Sequence, residues 1–436
     1  MYLTTLKSPI SRFDMSKKIA ELSFDLQSGL AAFDVPDYDD LKVVGMAATL
    51  AIHIKGLGEI DYAVLRGVSG YYMGIPSTAL DQVLRILKEV GHVDLVESGR
   101  KITAIIPNIP LFDEVYSGIG EYIASECSFN EHEQTVLAIL GSLQDAPANH
   151  DALLTSIGAD KHVFKRTLEI GETSGLISSH LARGRNILIS PIYFADNLDG
   201  LADAAVSAGA SNLKSTLNHL KGNQGWPLSL ALSEGRIGTT TLNPVEKSLV
   251  EKLSAEGMIK PPTIKFGARS ESFIFTPRPG GARLNAANRE IYERAMALIA
   301  AVRKGQLLPD QYKIHYPKKI LEALRDKGFL GSNSEADTQY HNLVVLRVGT
   351  LKPGARGMQF HLLKTDENKE ALNLAIKLLS SGSLSGMEVN KDARLALTKD
   401  ETYIQSLISA REIKAKPKLI LNEEADYEYQ QLLLKL

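Results

Sequence analysis

Cysteine is almost absent from this chain of 436 residues, because Cys127 is the only one. A single cysteine excludes an internal disulfide and any zinc site built from several thiolates. Cys127 also has no basic cluster close to it in the sequence that would activate its thiol as a nucleophile. A chain with so little cysteine fits a reducing compartment, so we expect a cytoplasmic protein.

Long hydrophobic runs are also missing. The apolar stretch 43–54 is shorter than the about 20 residues that a membrane-spanning helix needs, and it contains His53. Residues 1–18 lack the apolar centre of a secretory signal peptide. The sequence therefore predicts a soluble protein with no membrane association.

Neither sign of charge dominates the chain. It has 49 lysines and arginines, 51 aspartates and glutamates, a formal net charge of -2 and a pI of about 6.6. A near-neutral protein is not drawn to nucleic acid by its overall charge. Any attraction to a polyanion must come from a local group of cations.

The motifs of common catalytic sites are missing as well. The sequence has no phosphate-binding G-x-x-x-x-G-K-[ST], no G-x-G-x-x-G after a strand and no G-x-S-x-G nucleophile turn. Glu131–His132–Glu133 lacks the second histidine of an H-E-x-x-H zinc helix, and these residues suit a solvated helix start. We therefore expect a protein that is not an enzyme and holds no metal or cofactor.

What the sequence contains is a repeated order of a helix, a glycine and a hairpin. In residues 160–191, apolar side chains recur at helical spacing up to Gly175, which is placed to end the helix. Two short strand-like runs follow, separated by the basic turn 182–185, and Pro191 ends the second. This combination predicts a helix followed by a hairpin with a basic tip.

A second copy of this order precedes the first in the chain. The same number of residues separates Gly91 from Pro107 as separates Gly175 from Pro191. Internal self-similarity of this kind indicates a repeat architecture more strongly than any single element does. Looser copies follow after residue 196 and after residue 283.

These patterns predict an α+β fold that is mostly α. Its segments are an N-terminal helix and linker (1–40), a first unit (41–110), a second (111–195), a third (196–282), a less regular fourth (283–365) and a helical C-terminal segment (366–436). In detail, we expect a helix from residue 62 that is closed by Gly70, a loop at 118–120, a strand at 342–348 and a flexible joint at 380–385.

This order of elements resembles that of tandem winged helix-turn-helix proteins, over about residues 41–277 and more weakly to 363. The resemblance is one of pattern and points to no single family; plasmid replication initiators, bacterial repressors and winged-helix subunits of chromosome-organising or anti-phage complexes all fit. In that superfamily the third helix of a unit usually enters the major groove, and the hairpin tip touches phosphates or the minor groove. The resemblance implies double-stranded DNA as a partner, in transcriptional control, replication initiation or DNA sensing.

Carried over by position, the resemblance assigns DNA contacts to basic residues of each unit. On the helix before the hairpin they are Arg85 in the first unit, with the polar Asp81 and Gln82 beside it, Lys161, His162, Lys165 and Arg166 in the second, Lys247 and Lys252 in the third, and Lys318, Lys319 and Arg325 in the fourth; on the hairpins they are Arg100, Lys101, Arg183, Arg185, Lys265 and Arg269. Exposed lysine and arginine gain free energy by releasing counterions from phosphate. We expect the second unit to make the main contact, because its cations outnumber its acids.

The alternative is that the units bind protein. Acidic residues such as Asp81 and Glu97 offset the cations of the first unit, so we expect that unit to pack or to form a homodimer. The near-neutral charge and the leucine-rich end of the chain, 423–436, fit a scaffold subunit whose C-terminal helices dock on an ATPase or a nuclease. An enzyme with a divergent site has the least support.

Overall fold

The structure is a computed structural model that describes residues 12–30, 33, 35–110, 112–259, 263–266, 269–280, 284, 288–308, 313–382, 389–402 and 404–406. The helices are α1 (Arg12–Leu30), α2 (Asp39–Ile54), α3 (Tyr62–Met73), α4 (Ser77–Glu89), α5 (Phe112–Glu126), α6 (Glu131–Leu143), α7 (His150–Ile157), α8 (Lys161–Ser174), α9 (Leu198–Ala208), α10 (Ala210–Gly222), α11 (Leu228–Ser233), α12 (Pro244–Ala255), α13 (Arg289–Lys304), α14 (Pro317–Lys327), α15 (Ala336–Val345), α16 (Asp366–Ser381) and α17 (Lys391–Ala396).

The strands are short and form small sheets of two or three strands. They are β1 (Ile60–Asp61), β2 (Val93–Ser98), β3 (Lys101–Pro107), β4 (Ala148–Asn149), β5 (Ser178–Ala182), β6 (Arg185–Ile189), β7 (Trp226–Pro227), β8 (Arg236–Ile237), β9 (Thr240–Thr241), β10 (Thr263–Phe266), β11 (Arg269–Ile274), β12 (Gly349–Gly354) and β13 (Gly357–Leu362). The chain is mostly helical, which agrees with the α+β class that the sequence predicts.

Local sequence sets several helix ends. Asn130 caps α6, because its side chain accepts a hydrogen bond from the Glu133 N–H while the Glu133 carboxylate accepts one from the Asn130 N–H. Asp160 caps α8 in a similar way, through two backbone N–H groups of the first turn. At the other end of α8, Gly175 has a φ of 75°, in the left-handed region that favours glycine. The predicted end of this helix is confirmed.

Three successive segments repeat one order of elements. In each, a helix leads into a short strand, further helices and a hairpin, and the short strand pairs with the second strand of the hairpin. The first hairpin unit spans α2 to β3, the second spans α6 to β6 and the third spans α10 to β11. Their three-stranded sheets have the orders β1-β3-β2, β4-β6-β5 and β10-β11-β7. The third unit also has a small hairpin, β8–β9, between α11 and α12.

The fourth hairpin unit, from α13 to β13, departs from this order. Phe329 and Asn333 form isolated bridges with β13, and they lie between α14 and α15. Only one helix, α15, separates this edge from the hairpin β12–β13, whereas two helices do so in the first two units. The fourth unit is a variant of the repeat rather than a close copy.

The predicted strand at 342–348 is wrong. Residues 342–345 belong to helix α15, and β12 begins only after them. A short apolar run fits a helix and a strand equally well when it is judged by sequence alone. Packing decides the outcome here, because Ala336, Tyr340 and Leu343 lie at helical spacing and are buried in the surrounding core.

Other expectations also need correction. Helix α3 continues through Gly70 to Met73 and ends at Gly74, whose φ is 64°. The predicted flexible joint begins too early, because Ser380 and Ser381 belong to α16. The leucine-rich stretch 423–436 lies outside the described residues.

Helix α1 packs closely against α2 and α5 at glycines. A Cβ atom on Gly45 of α2 would lie 2.2 Å from the carbonyl oxygen of Ser23 in α1. A Cβ atom on Gly120 of α5 would lie 2.6 Å from the carbonyl carbon of Ser16. The predicted loop at 118–120 is therefore a helical segment, in which Gly120 serves a close approach of two helices and not a turn.

The buried side chains form two hydrophobic clusters. The first cluster contains residues of α1, the first three hairpin units and α17. The second cluster contains residues of α13 to α16, with Phe273 and Phe275 from the end of the third unit. The first three units therefore share one core. Over the described ranges, no helix is both long and apolar enough to cross a membrane.

Replacing Gly45 with alanine tests the contact between α1 and α2. The added methyl group has no room beside the Ser23 carbonyl, so we expect G45A to lower the free energy of unfolding by about 1–3 kcal/mol, as overpacking does. Gly70 is the matched control, because it lies inside helix α3 and a Cβ atom there would meet its nearest neighbour at 3.7 Å. G70A should leave stability unchanged or raise it by up to about 1 kcal/mol. Thermal unfolding compares the two, and equal Tm values would contradict this packing.

Candidate nucleic-acid interface

Helix α8 presents three of the predicted DNA-binding residues to solvent. Its apolar side, which includes Phe164, is buried in the first cluster. Lys161, His162 and Lys165 are exposed on the other side. The Nζ atom of Lys165 lies 3.8 Å from the carboxylate of Glu169, one turn further along the helix. The exposed face of α8 therefore carries both signs of charge.

Arg166, on the same helix, contacts the turn that precedes the first hairpin unit. One of its guanidinium nitrogens lies 3.3 Å from the carboxylate of Asp37, in the 3-10 turn that precedes α2. The adjacent Tyr38 is buried, and burial raises the pKa of its phenol to about 12. The sequence predicts a DNA contact for Arg166, and the structure pairs it with an acid of the turn that leads into the first unit.

The hairpin β5–β6 packs against helix α9. At its tip, Arg183 has a φ of 48°, and its guanidinium donates hydrogen bonds of 2.8 and 3.3 Å to the carboxylate of Asp203. The Nζ atom of Lys252, from α12, lies 2.6 Å from the same carboxylate. The hydrogen bond from Lys252, followed by that from Arg183, lowers the pKa of Asp203. Both predicted DNA contacts thus neutralise an acid of the protein itself.

Other predicted hairpin residues remain exposed. Arg185 follows the tip of β5–β6, and Arg100 and Lys101 lie at the tip of β2–β3. These three cations form no ion pair with an acidic side chain in the described part of the chain. Lys265 lies in β10 opposite Ser270, and Arg269 begins β11. For those two residues the backbone alone is described.

Lys318 and Lys319 lie on α14, which is the second helix of the fourth unit. Lys318 is 3.6 Å from the carboxylate of Glu322, one turn along the helix. The Nζ atom of Lys319 lies 5.0 Å from the centre of the exposed Tyr316 ring, at cation–π distance. Because α15 comes between α14 and the hairpin, these lysines do not occupy the helix before the hairpin, contrary to expectation.

The hairpin β12–β13 carries cations that the sequence reasoning missed. Lys352 and Arg356 are exposed near its tip, and Arg347 and Lys364 are exposed beside its base. None of these four is paired with an acid among the residues that the structure describes. A signal was available, because residues 338–365 contain no aspartate or glutamate. This signal was missed because the first strand of the hairpin was predicted at 342–348, before its actual position in β12.

Backbone contacts brace this hairpin. Each strand has 6 residues, which corresponds to a length of about 20 Å at about 3.3 Å per residue. Near the tip, the Arg356 N–H donates to the Ser332 hydroxyl at 3.2 Å. A Cβ atom on Gly357, whose φ is 116°, would lie 2.5 Å from the Asn333 carbonyl oxygen. The segment 329–333 thus packs against the hairpin and limits its movement. The cations near the tip therefore extend from a hairpin that the rest of the unit holds in place.

No protein-family model, curated protein sequence or solved structure matches the chain. Among the described residues, no group of three or more histidine, cysteine, aspartate or glutamate side chains is arranged to hold a metal ion. Burial, followed by the carboxylates of Asp40 and Glu133, raises the pKa of Cys127 to about 11. The thiol form therefore dominates at neutral pH, which disfavours a nucleophilic role. The distribution of unpaired cations is the feature that bears on function.

Two arginines of the hairpin β5–β6 allow a matched test of its packing. R183A removes both hydrogen bonds to Asp203, so we expect a loss of up to about 1 kcal/mol of stability, the value typical of exposed ion pairs. Amide protection in residues 178–189 should also fall. R185A removes the same charge from an unpaired position and should change neither property. Thermal unfolding and hydrogen exchange measure both effects, and equal loosening by R185A would show that the ion pair does not hold the hairpin.

Proposed function

We propose that the hairpin units are winged helices, and that the chain is a non-enzymatic protein that binds duplex DNA through its phosphate backbone. The observation that carries the proposal is the hairpin β12–β13, where two exposed cations near the tip and two beside the base lie in an acid-free stretch of the sequence. The principal contact moves from the second unit, where the sequence predicts it, to the fourth.

Cations without acidic neighbours are the ones best able to release counterions from DNA. A lysine or arginine that already pairs with a carboxylate must break that pair before it binds a phosphate, which reduces its net gain. Arg166, Arg183 and Lys252 are of this kind. Lys352 and Arg356 carry no such cost. With a net charge of -2 for the whole chain, a local surface of this type is what nucleic-acid binding requires.

The length of the hairpin suits contact along a DNA strand. About 20 Å separates its tip from its base, and a duplex carries one negative charge per about 1.7 Å of its axis. Lys352 and Arg356 at the tip can therefore meet different phosphates from Arg347 and Lys364 at the base. Contacts to phosphate set affinity and orientation but carry no sequence information directly. The proposed binding is accordingly led by the backbone.

A fluorescence-anisotropy titration with a random-sequence duplex at several salt concentrations tests the proposal. We expect affinity to fall as salt rises. K352A/R356A should reduce the slope of log affinity against log salt by about two, at about 0.9 for each lost phosphate contact. The matched control R166A/R183A removes the same charge from paired positions and should keep a slope close to that of the unmodified chain.

Two results would contradict the proposal. Absence of binding at low salt would exclude duplex DNA as a ligand of this chain. Binding with an unchanged salt slope in K352A/R356A would move the contact away from the hairpin β12–β13, and the exposed Lys161 and Arg185 of the second unit would then be the next positions to replace.

A scaffold that binds protein partners is the second candidate. The hairpin β5–β6 favours it, because this hairpin packs against α9 and so already serves as a protein contact within the chain. Leu181 on the same hairpin is 82% exposed and extends an apolar side chain into solvent. The scaffold is favoured if DNA does not bind at low salt and a larger partner copurifies with the full chain but not with a chain that lacks 423–436.

A further inference from the structure

The chain returns to the first hydrophobic cluster after it has completed the second. Residues 389–402 and 404, which we call the strap, follow α16, and helix α17 within the strap lies against α2 and α3. Ala393, Ala396, Leu397 and Ile404 are buried in the first cluster. The strap therefore buries its apolar side chains in a different cluster from α16, the helix that precedes it.

His53, in the last turn of α2, holds the start of the strap. Its Nδ1 atom lies 2.7 Å from the Thr49 carbonyl oxygen, and a carbonyl can only accept, so Nδ1 carries the proton. The other ring nitrogen, Nε2, then has a free lone pair and accepts a 3.0 Å hydrogen bond from the backbone N–H of Asn390. This pattern requires a neutral imidazole. Arg394 of the strap adds a 3.1 Å hydrogen bond to the His53 carbonyl oxygen.

The strap also contacts the helices of the second cluster. Lys391 forms a 3.2 Å ion pair with Glu370 of α16. The side-chain amide of Asn288, immediately before α13, donates to the Val389 carbonyl oxygen at 3.2 Å. The strap thus joins both clusters, with His53 on one side and α13 and α16 on the other.

We propose that the strap is a pH-sensitive latch between the two clusters, closed while His53 is neutral and released when His53 is protonated. A proton on Nε2 would remove the acceptor for the Asn390 N–H and place two donors face to face. The strap would then lose the hydrogen bond at its N-terminal end. The contact of Arg394 with the His53 carbonyl oxygen and the packing of the buried apolar side chains would still act to hold it. This inference goes beyond the proposed DNA binding and does not depend on it.

The charges near His53 act mainly against protonation. The charged groups that face this region are Arg394 of the strap, Lys55 after α2, Lys377 and Glu370 of α16, and Glu114 of α5. Of the two acids, Glu370 is already paired with Lys391. Burial lowers the pKa of His53 most, Arg394 lowers it further, and the hydrogen bond to Thr49 opposes these effects.

The direction of the pH effect follows from this lowered pKa. When the strap is released, His53 is exposed to solvent, and its pKa takes the unperturbed value of about 6.5. In the closed state its pKa is lower. Below about pH 6.5 the released state therefore binds more protons than the closed state, so the latch weakens as pH falls through this value. Above it His53 is neutral in both states, and the latch has its full strength.

Hydrogen exchange of the full chain at pH 7.5 and pH 5.5 measures the latch directly. After correction for intrinsic exchange rates, we expect the protection factors of the strap amides to be lower at pH 5.5, by up to about tenfold. One additional proton bound by the released state changes the equilibrium about tenfold for each pH unit below about 6.5. Amides in the middle of α6, which is remote from the strap in sequence, provide the reference.

Two histidine substitutions separate the latch from general acid sensitivity. His53→Gln keeps an acceptor oxygen but cannot titrate in this range, so strap protection should become equal at the two pH values. His92→Gln is the matched control. His92 is also buried in the first hairpin unit, with a pKa lowered by burial, but its ring lies against Gly118 rather than the strap. The decrease at pH 5.5 should persist in that variant.

The latch is overturned if the unmodified chain shows equal strap protection at both pH values, or if the decrease at pH 5.5 survives in His53→Gln. Should His53→Gln fail to fold, Asn390→Pro provides a second route. It removes the donor N–H at a position whose φ of -81° is close to that of proline, and it leaves His53 in place. The variant also removes the side-chain cap of α17, so strap protection should be lower than in the unmodified chain, already at pH 7.5. Unchanged strap protection at pH 7.5 would show that the Asn390 N–H does not hold the strap and would overturn the proposal.

Discussion

Helix α1 is enclosed by the rest of the first cluster, and the arrangement of the hairpin units depends on it. No residue from 15 to 30 is exposed. The helix packs against α2, α5 and α6, and its buried Asp25 accepts a 2.8 Å hydrogen bond from Tyr193, which follows the second unit. A helix buried on all sides must satisfy several neighbours at once. The first and second units are therefore faces of one core, with Gly45 and Gly120 permitting the closest backbone contacts.

This shared core explains why several predicted DNA-binding cations already have an acidic partner within the chain. Because the segments around this core pack closely, Arg166 of the second unit meets Asp37, just before the first unit, and Arg183 meets Asp203 of α9. Each ion pair adds little stability at such exposed positions. The larger consequence of these ion pairs is that the surface around Arg166 and Arg183 is close to neutral instead of basic. The hairpin β12–β13 belongs to the second cluster, and its cations meet no acid among the described residues.

The two clusters are joined by links of different kinds. At one link, Arg303 of α13 is buried, donates a 3.1 Å hydrogen bond to the Gln224 carbonyl oxygen and lies 5.4 Å from the centre of the Trp226 ring. Burial lowers the pKa of Arg303 to about 10, so this cation keeps its charge at neutral pH and the link does not titrate there. The strap is another link, and it depends on a histidine. The charge of Arg303 stays constant over the physiological pH range, whereas His53 at the strap can change its protonation state with pH.

Elements that depend on neighbours in the sequence could be predicted, whereas contacts between distant segments could not. Gly175 ends α8 as the sequence predicts, because a cap or a glycine acts within a few residues. The sequence likewise predicts Lys161 on the exposed face of a helix and Arg185 at the tip of a hairpin, and both side chains are exposed in the structure. Arg166 and Asp37 lie 129 residues apart in the sequence, and no local sequence pattern predicts that they pair. Whether a cation is paired depends on what packs beside it, so only the tertiary structure shows that Arg347, Lys352, Arg356 and Lys364 have no acidic partner among the described residues.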